Sequence, residues 1–349
     1  MFAITLRDLQ FRSRQFLIAV LGAGLVFAMT LLLAGMAASF YAEINHTVRS
    51  VGVDAWVLPQ GTTGPFTAVG SLPTTTAAAV GALPGVRGAG PIAITPEAAQ
   101  DGTHYVRVTM IGAPVGGLGT LTPSRGRPVS ADGQAVVDSR LHVGIGHAFT
   151  VSGQPFTVVG LVSGHTLNGG SPDVWITLHD AQQLLFGGRP LATAIVTKGV
   201  PTASPTGYEV LTSTAVRQDT LRPMQSAVQS VDNSRKFMWV VAAVIVAALV
   251  YVSALQRVRD FAVLKAMGAS SRSLFGGVAL QAVVVTLAAA LLGGLIANLL
   301  KPLYPLPVAI PFSAFLLLPV SAVVVGIFAS LVALRRAISV DPALAFGAA

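Results

Sequence analysis

Cysteine is absent from the 349 residues, so neither a disulfide nor a thiolate metal site can form. Charge is nearly as scarce: Asp, Glu, Lys and Arg make up 10% of the chain, against roughly 25% in a soluble domain. Catalytic signatures are also missing. Without a GxxxxGK[ST] phosphate loop the chain is not by itself an ATPase of that type, and neither HExxH nor GxSxG occurs. The net charge of +8 is modest for this length, and no basic-aromatic module marks a nucleic-acid binder, so no nucleic-acid partner is expected.

What the chain does have is apolar length. It is 53% hydrophobic with a mean hydropathy of +0.70, and ~20 apolar residues in a helix cross a bilayer core. Four charge-free runs meet that requirement: Phe16 to Phe40, Phe237 to Leu255, Leu274 to Leu300 and Phe312 to Leu334. Pro302, Pro305, Pro307 and Pro311 break helix, so residues 301–311 read as a short loop, and Pro319 is expected to kink the last span. The first run could instead be a cleaved signal peptide, but it is longer than the usual h-region of about 7–15 residues.

Orientation follows from the positive charges that flank the spans. Arg7, Arg12 and Arg14 precede the first; Arg257, Arg259, Lys265 and Arg272 join the second and third; Arg335 and Arg336 follow the fourth. With four spans these segments share one side, the cytoplasm, which leaves residues 41–236 outside. Arg235 and Lys236 run against the rule. The spans hold no Asp, Glu, Lys, Arg or His, the residues that proton relays and ion pathways place at depth. Small residues, among them Gly22, Gly24, Ala34, Ala38, Gly293 and Ala297, are spaced so that helix backbones can approach.

The outer segment changes texture, becoming rich in Gly and Pro with short β-prone runs at 53–59, 104–112, 147–162, 173–178 and 193–199. Helical pieces are expected at Pro73 to Leu83, at His179 to Phe186, and in a stalk from about Thr214 to Phe237. Ser152-Gly153-Gln154-Pro155 suits a hairpin turn. His142 and His147 read as polar loop or strand-edge residues, since no third metal ligand accompanies them. Ser163, His165 and Asp173 lie close in sequence, but a triad is defined by geometry that spacing does not supply.

Residues 256–275, QRVRDFAVLKAMGASSRSLF, concentrate charge between two oily runs. At ~100° per residue, Phe261, Val263, Leu264 and Met267 share an apolar arc that also holds Asp260, while Arg259 and Lys265 lie outside it. Gly268 is suited to end the helix at a positive φ. A rigid amphipathic helix here would dock on another protein; a plain positive-inside loop explains the charges but not their compact order.

RDFAVLKAMGAS resembles the cytoplasmic loop of the FtsX-like, or MacB-type, ABC transporter permeases. The tail RRAISVDPALAF is similar to the family's closing segment, with Asp341 placed to N-cap a short helix and Pro342 at its first position. ITLRDLQFRSRQF resembles its N-terminal amphipathic helix, with Phe2, Leu6 and Leu9 on one face. GIGHAFTVSGQPFTVVGLV resembles the hairpin of the outer core domain, with Gly146-His147 where Gly-Asp is usual.

The resemblance implies a membrane α-helical fold of four transmembrane helices, arranged 1+3, with a large extracytoplasmic α+β domain inserted between helices 1 and 2. Its segments would be a cytoplasmic helix (1–14), first span (15–40), outer domain and stalk (41–236), second span (237–255), coupling helix (256–273), third span (274–300), outer loop (301–311), fourth span (312–334) and cytoplasmic tail (335–349). It implies a non-catalytic subunit in the cell membrane of a bacterium, with both termini cytoplasmic, docking a cytoplasmic ATPase through residues 257–268 and paired with a second permease chain. ATP and Mg would bind the ATPase and no cofactor this chain. Export by force transmission is the expected role, with an outer partner allowed; regulation of a cell-envelope enzyme, or a membrane-anchored receptor without an ATPase, are the alternatives.

Overall fold

The structure is a computed structural model and describes residues 13–256, 263, 267–268, 270–304 and 308–338. The chain divides into two compact units, one of residues 39–228 and the other of residues 1–38 with 229–349.

The 39–228 unit is built on an eleven-stranded sheet. Its principal strands are β1 (Ala55–Pro59), β3 (Gly88–Asp101), β4 (His104–Ala113), β6 (Gln134–Asp138), β7 (Ala148–Val151), β8 (Gln154–Val162), β10 (Ser171–Thr177), β12 (Ala194–Lys198) and β13 (Tyr208–Thr212). With the short β5 (Arg125–Gly126) at one edge, the order is β13-β1-β12-β3-β4-β10-β6-β8-β5. The short β9 (Thr166–Leu167) pairs with β10, while β2 (Leu72–Pro73) and β11 (Leu191–Ala192) form a separate ribbon. Most pairs are antiparallel; β4 with β10 and β6 with β8 are parallel.

Side chains alternate across the sheet as period-2 geometry requires. Ile111, Val136 and Trp175 pack on one face with Ile44 and Val48, and Met110, Val137, Val174 and Ile176 pack on the other with Phe149, Phe156 and Ala181. Val151 pairs with Gln154, so the β7–β8 turn is Ser152-Gly153, with φ of 46° and 85°. Positive φ at both turn positions is the type I′ geometry that suits the twist of a hairpin.

β3 is not among the β-prone runs read from the sequence. GAGPIAITPEAAQD has weak strand formers and two prolines, which argue against an interior strand. Its residues 88–92 pair with β12 and residues 93–101 with β4. Pro91 and Pro96 each fall where one of these partners is present and the other is not, so an unpaired side remains for the missing donor.

Helices in this unit are α2 (Thr76–Gly81), α3 (Leu178–Phe186) and α4 (Ser213–Leu221), together with residues 39–50 of α1 (Ser13–Ser50). Thr177 caps α3 by accepting from Asp180 N at 3.1 Å, and donates to Asp132 Oδ1 at 2.6 Å.

The second unit holds the rest of α1, most of α5 (Gln225–Leu255), and α6 (Ser271–Leu300) and α7 (Phe312–Ile338). Among the described residues two helical stretches are long and apolar enough to cross a membrane, Phe16–Ser50 and Gly276–Leu303, and Phe312–Ser321 is a shorter apolar stretch. The helix continues through Pro319. Ala23, Phe27 and Leu31 pack with Ala242 and Val246 of α5 and with Val278, Ala282 and Ala289 of α6. Gly293 makes a close approach between helices: a Cβ there would fall 2.7 Å from Phe27 Cβ and 2.8 Å from the Gly24 carbonyl. At Gly22, by contrast, a Cβ would meet nothing within 4 Å. Leu287, Leu291, Leu295 and Leu299 form an exposed stripe along α6, a surface suited to hydrocarbon. Arg235 is paired with Asp232 at 3.0 Å, which offsets one of the two cations that break the positive-inside pattern.

Candidate functional site at the outer end of the first helix

The last turns of α1 read FYAEINHTVRS. Helical spacing sets Glu43, His46 and Thr47 on a common side, while Ile44 and Val48 enter the core beside the sheet. Glu43 and Thr47 are buried although both are polar, so their hydrogen bonds must be found within the protein.

Those bonds go to β10 and the segment leading into it. Glu43 Oε1 accepts from Thr166 Oγ1 at 2.9 Å, and Oε2 accepts from Gly169 N at 3.1 Å. Thr47 Oγ1 lies 3.0 Å from the Thr166 carbonyl and 2.9 Å from Asp173 Oδ2. Asp138, fully buried at the end of β6, accepts from Arg140 N at 3.0 Å and His165 N at 2.8 Å. The His165 ring meets His46 at a centroid distance of 4.3 Å and Trp175 at 5.2 Å, edge-on in both cases.

Electrostatics follow from burial. Asp173 is wholly enclosed, and desolvation, with the Asp138 and Glu43 carboxyls nearby adding to it, pushes its carboxyl up to about 8. Burial, and secondarily the neighbouring His46, holds His165 down to about 4. Asp173 Oδ1, His165 Nδ1 and Trp175 Nε1 are buried without a hydrogen-bond partner.

This arrangement does not build a hydrolase. Ser163 Oγ sits 3.3 Å from Ser139 Oγ, and the Asp173 carboxyl turns to Thr47, so Ser163, His165 and Asp173 are not joined as a triad. His142 and His147 are both exposed, His142 at a φ of 62°, and among the described residues no group of three His, Cys, Asp or Glu is placed to hold a metal. The cluster works instead as a polar fastening of a helix to a sheet. Sequence reasoning passed over Glu43, His46 and Thr47; the available signal was a polar i, i+3, i+4 set directly after a long apolar run.

Of the segment singled out between the second and third spans, Val263, Met267 and Gly268 are described. Val263 and Met267 are exposed, Met267 N donates to the Val263 carbonyl at 3.0 Å, and Gly268 has a φ of 93°. Ser270 then caps α6 by accepting from Ser273 N at 3.3 Å. Arg259, Asp260, Phe261, Leu264 and Lys265 lie outside the described residues, as do Phe2, Leu6 and Leu9 and the pair Asp341 and Pro342.

Long apolar helices together with an α+β unit inserted between them in the sequence are the arrangement expected of a membrane protein with a large inserted domain. Residues 16–216 match the MacB-like periplasmic core domain, and residues 237–342 match the FtsX-like permease C-terminal family. An uncharacterized ABC transporter permease of Mycobacterium tuberculosis is 42% identical over 344 residues, covering 98% of both chains. A second from that organism is 41% identical over 342 residues, again with 98% coverage of each. The crystal structure of the periplasmic region of MacB from Actinobacillus actinomycetemcomitans aligns at 14% identity and a TM-score of 0.35, covering 51% of this chain and 98% of that one. The chain belongs to the MacB/FtsX-type family of ABC transporter permeases.

Proposed function

We propose that this chain is the force-transmitting, non-catalytic permease subunit of an export-type ABC transporter, working with a separate cytoplasmic ATPase and a second permease chain. The ATPase binds ATP and Mg. It docks on residues 257–268, with Phe261, Val263, Leu264 and Met267 as its apolar contacts, Arg259, Asp260 and Lys265 around them, and Gly268 ending the element. Four spans, at 15–40, 237–255, 274–300 and 312–334, put both termini in the cytoplasm; Phe2, Leu6 and Leu9 lie in the membrane interface, and Asp341 with Pro342 starts a short tail helix.

One observation carries this reading. α1 runs without a break from Ser13 to Ser50, and its final turns are hydrogen-bonded through Glu43 and Thr47 to the outer sheet. Movement of such a helix is passed to the strand it is fastened to. Apolar spans without ionisable residues suit a mechanical part better than a hydrophilic conduit.

The test is co-expression with the ATPase encoded in a neighbouring reading frame, followed by purification in mild detergent. An ATPase that co-purifies, and whose hydrolysis persists while export is lost when Glu43 and Thr47 are both replaced, is the expected result. A chain that purifies without any ATPase overturns it.

A further inference from the structure

Asp138 and Glu43 both act on Asp173 where α1 is fastened to β10, and none of the three forms an ion pair among the described residues. Two have the partners a carboxylate needs. Glu43 accepts from a hydroxyl and a backbone amide, and Asp138 accepts from two backbone amides. Asp173 is different: Oδ1 has no hydrogen-bond partner, and the carboxyl has only hydroxyl neighbours, Thr47 at 2.9 Å from Oδ2 and Thr109, with no backbone amide.

The Thr47 hydroxyl has a single proton but faces two oxygens at hydrogen-bond distance, the Thr166 carbonyl and Asp173 Oδ2. A carbonyl accepts only. With Asp173 ionised, one of these close oxygen pairs would have no proton, and a buried charge would stand unpaired beside two other carboxyls. A proton on Asp173 resolves both: it donates to Thr47 Oγ1, which donates onward to the Thr166 carbonyl.

We propose that Asp173 carries a proton while α1 is docked, and that release of this proton to solvent frees the outer turn of α1 from β10, making Asp173 a proton-operated catch. The charged groups that act on it are Asp138 at the end of β6 and Glu43 of α1; beyond them, Arg140 in the turn after β6 acts on Glu43, and His46 of α1 acts on His165 before β9. Enclosure pushes the carboxyl up to about 8, so the catch is closed at neutral pH and opens above it. The inference rests on α1 being the force-carrying element, but it does not involve the ATPase.

The experiment uses the full chain in lipid nanodiscs. Ala42→Cys and Asn168→Cys, both at exposed positions, accept spin labels specifically because the chain has no other cysteine. The distance between them is measured at about pH 6.5 and about pH 9, and the protonated-carboxyl infrared band is titrated over the same range. A band with its midpoint near 8, absent from Asp173→Asn, is expected. The distance distribution should be narrow at the lower pH and broad at the higher, and narrow at both in Asp173→Asn. If Asp173→Asn does not fold, Thr47→Val replaces it, with a broad distribution expected at both values. A missing band, a wild-type distance that ignores pH, or a narrow distribution in Thr47→Val overturns the proposal. Because no ATP is present, its failure is separable from failure of ATPase coupling.

Discussion

Thr47 and Asp173 are 126 residues apart in sequence, yet Thr47 Oγ1 and Asp173 Oδ2 meet at 2.9 Å inside the protein. This contact ties a helix that begins in an apolar run to β10, the strand beside the centre of the eleven-stranded sheet. Replacing Thr47 by Val keeps the shape and removes the hydroxyl, leaving the Thr166 carbonyl and Asp173 without their shared partner. A loss of about 1–3 kcal/mol is expected, measured as a lower unfolding midpoint of the outer domain within the full chain. Thr47→Ser should recover most of it.

Stability should fall between about pH 6.5 and 8. Asp173, raised to about 8 from an ordinary 3.8, binds more protons folded than unfolded, so its contribution is full below 3.8 and is lost as pH rises through 8. His165, lowered to about 4 from 6.5, has the opposite sign: stability is gained as pH rises from about 4 to 6.5. The two oppose each other in the acid range, and Asp173 acts alone of the pair above it. Thermal midpoints across this range should decline for the wild type and flatten for Asp173→Asn.

At the crossing of α1 with α6, Gly293→Val would drive side-chain atoms into Phe27 Cβ, the Gly24 carbonyl and Ala28 N. Two of these are backbone atoms, so relief requires the helices to separate, costing about 1–3 kcal/mol. Gly22→Val, in open space, should be near neutral. Thermal aggregation midpoints in detergent compare the pair, and equal values would show that the close approach contributes nothing.

Docking of the ATPase should depend on the apolar side chains after Asp260. Phe261→Ala and Leu264→Ala are each expected to weaken the complex by roughly 2 kcal/mol, with membrane insertion unchanged. Gly268→Val acts through the backbone, since a φ of 93° is strained for any β-branched residue; it should lower assembly as well. Co-purification of the ATPase and its hydrolysis rate check both, and no change in the double alanine variant leaves the segment as a positive-inside loop.

Topology is open to single cysteines. Thr63→Cys and Asn168→Cys should react with an impermeant thiol reagent in intact cells, and Ser271→Cys only after permeabilisation. Reaction of Ser271→Cys in intact cells overturns the four-span arrangement.

The amino-acid sequence by itself determined the class. Long uncharged runs can be stable only where water is absent, and the Gly- and Pro-rich segment between them holds β-prone runs that become strands β1, β4, β7, β8, β10 and β12. The Ser152-Gly153 turn was legible because two consecutive positive φ values restrict which residues fit. β3 was not legible, because two prolines are tolerated there only by a change of partner along the strand, which is a property of the assembled sheet. Likewise Glu43 and Thr47 read as ordinary polar residues at a helix end. Only the tertiary structure brings them to Thr166, Gly169 and Asp173, since the cost of burying polar groups, and with it the elevated Asp173 carboxyl, exists only once the chain has closed over them.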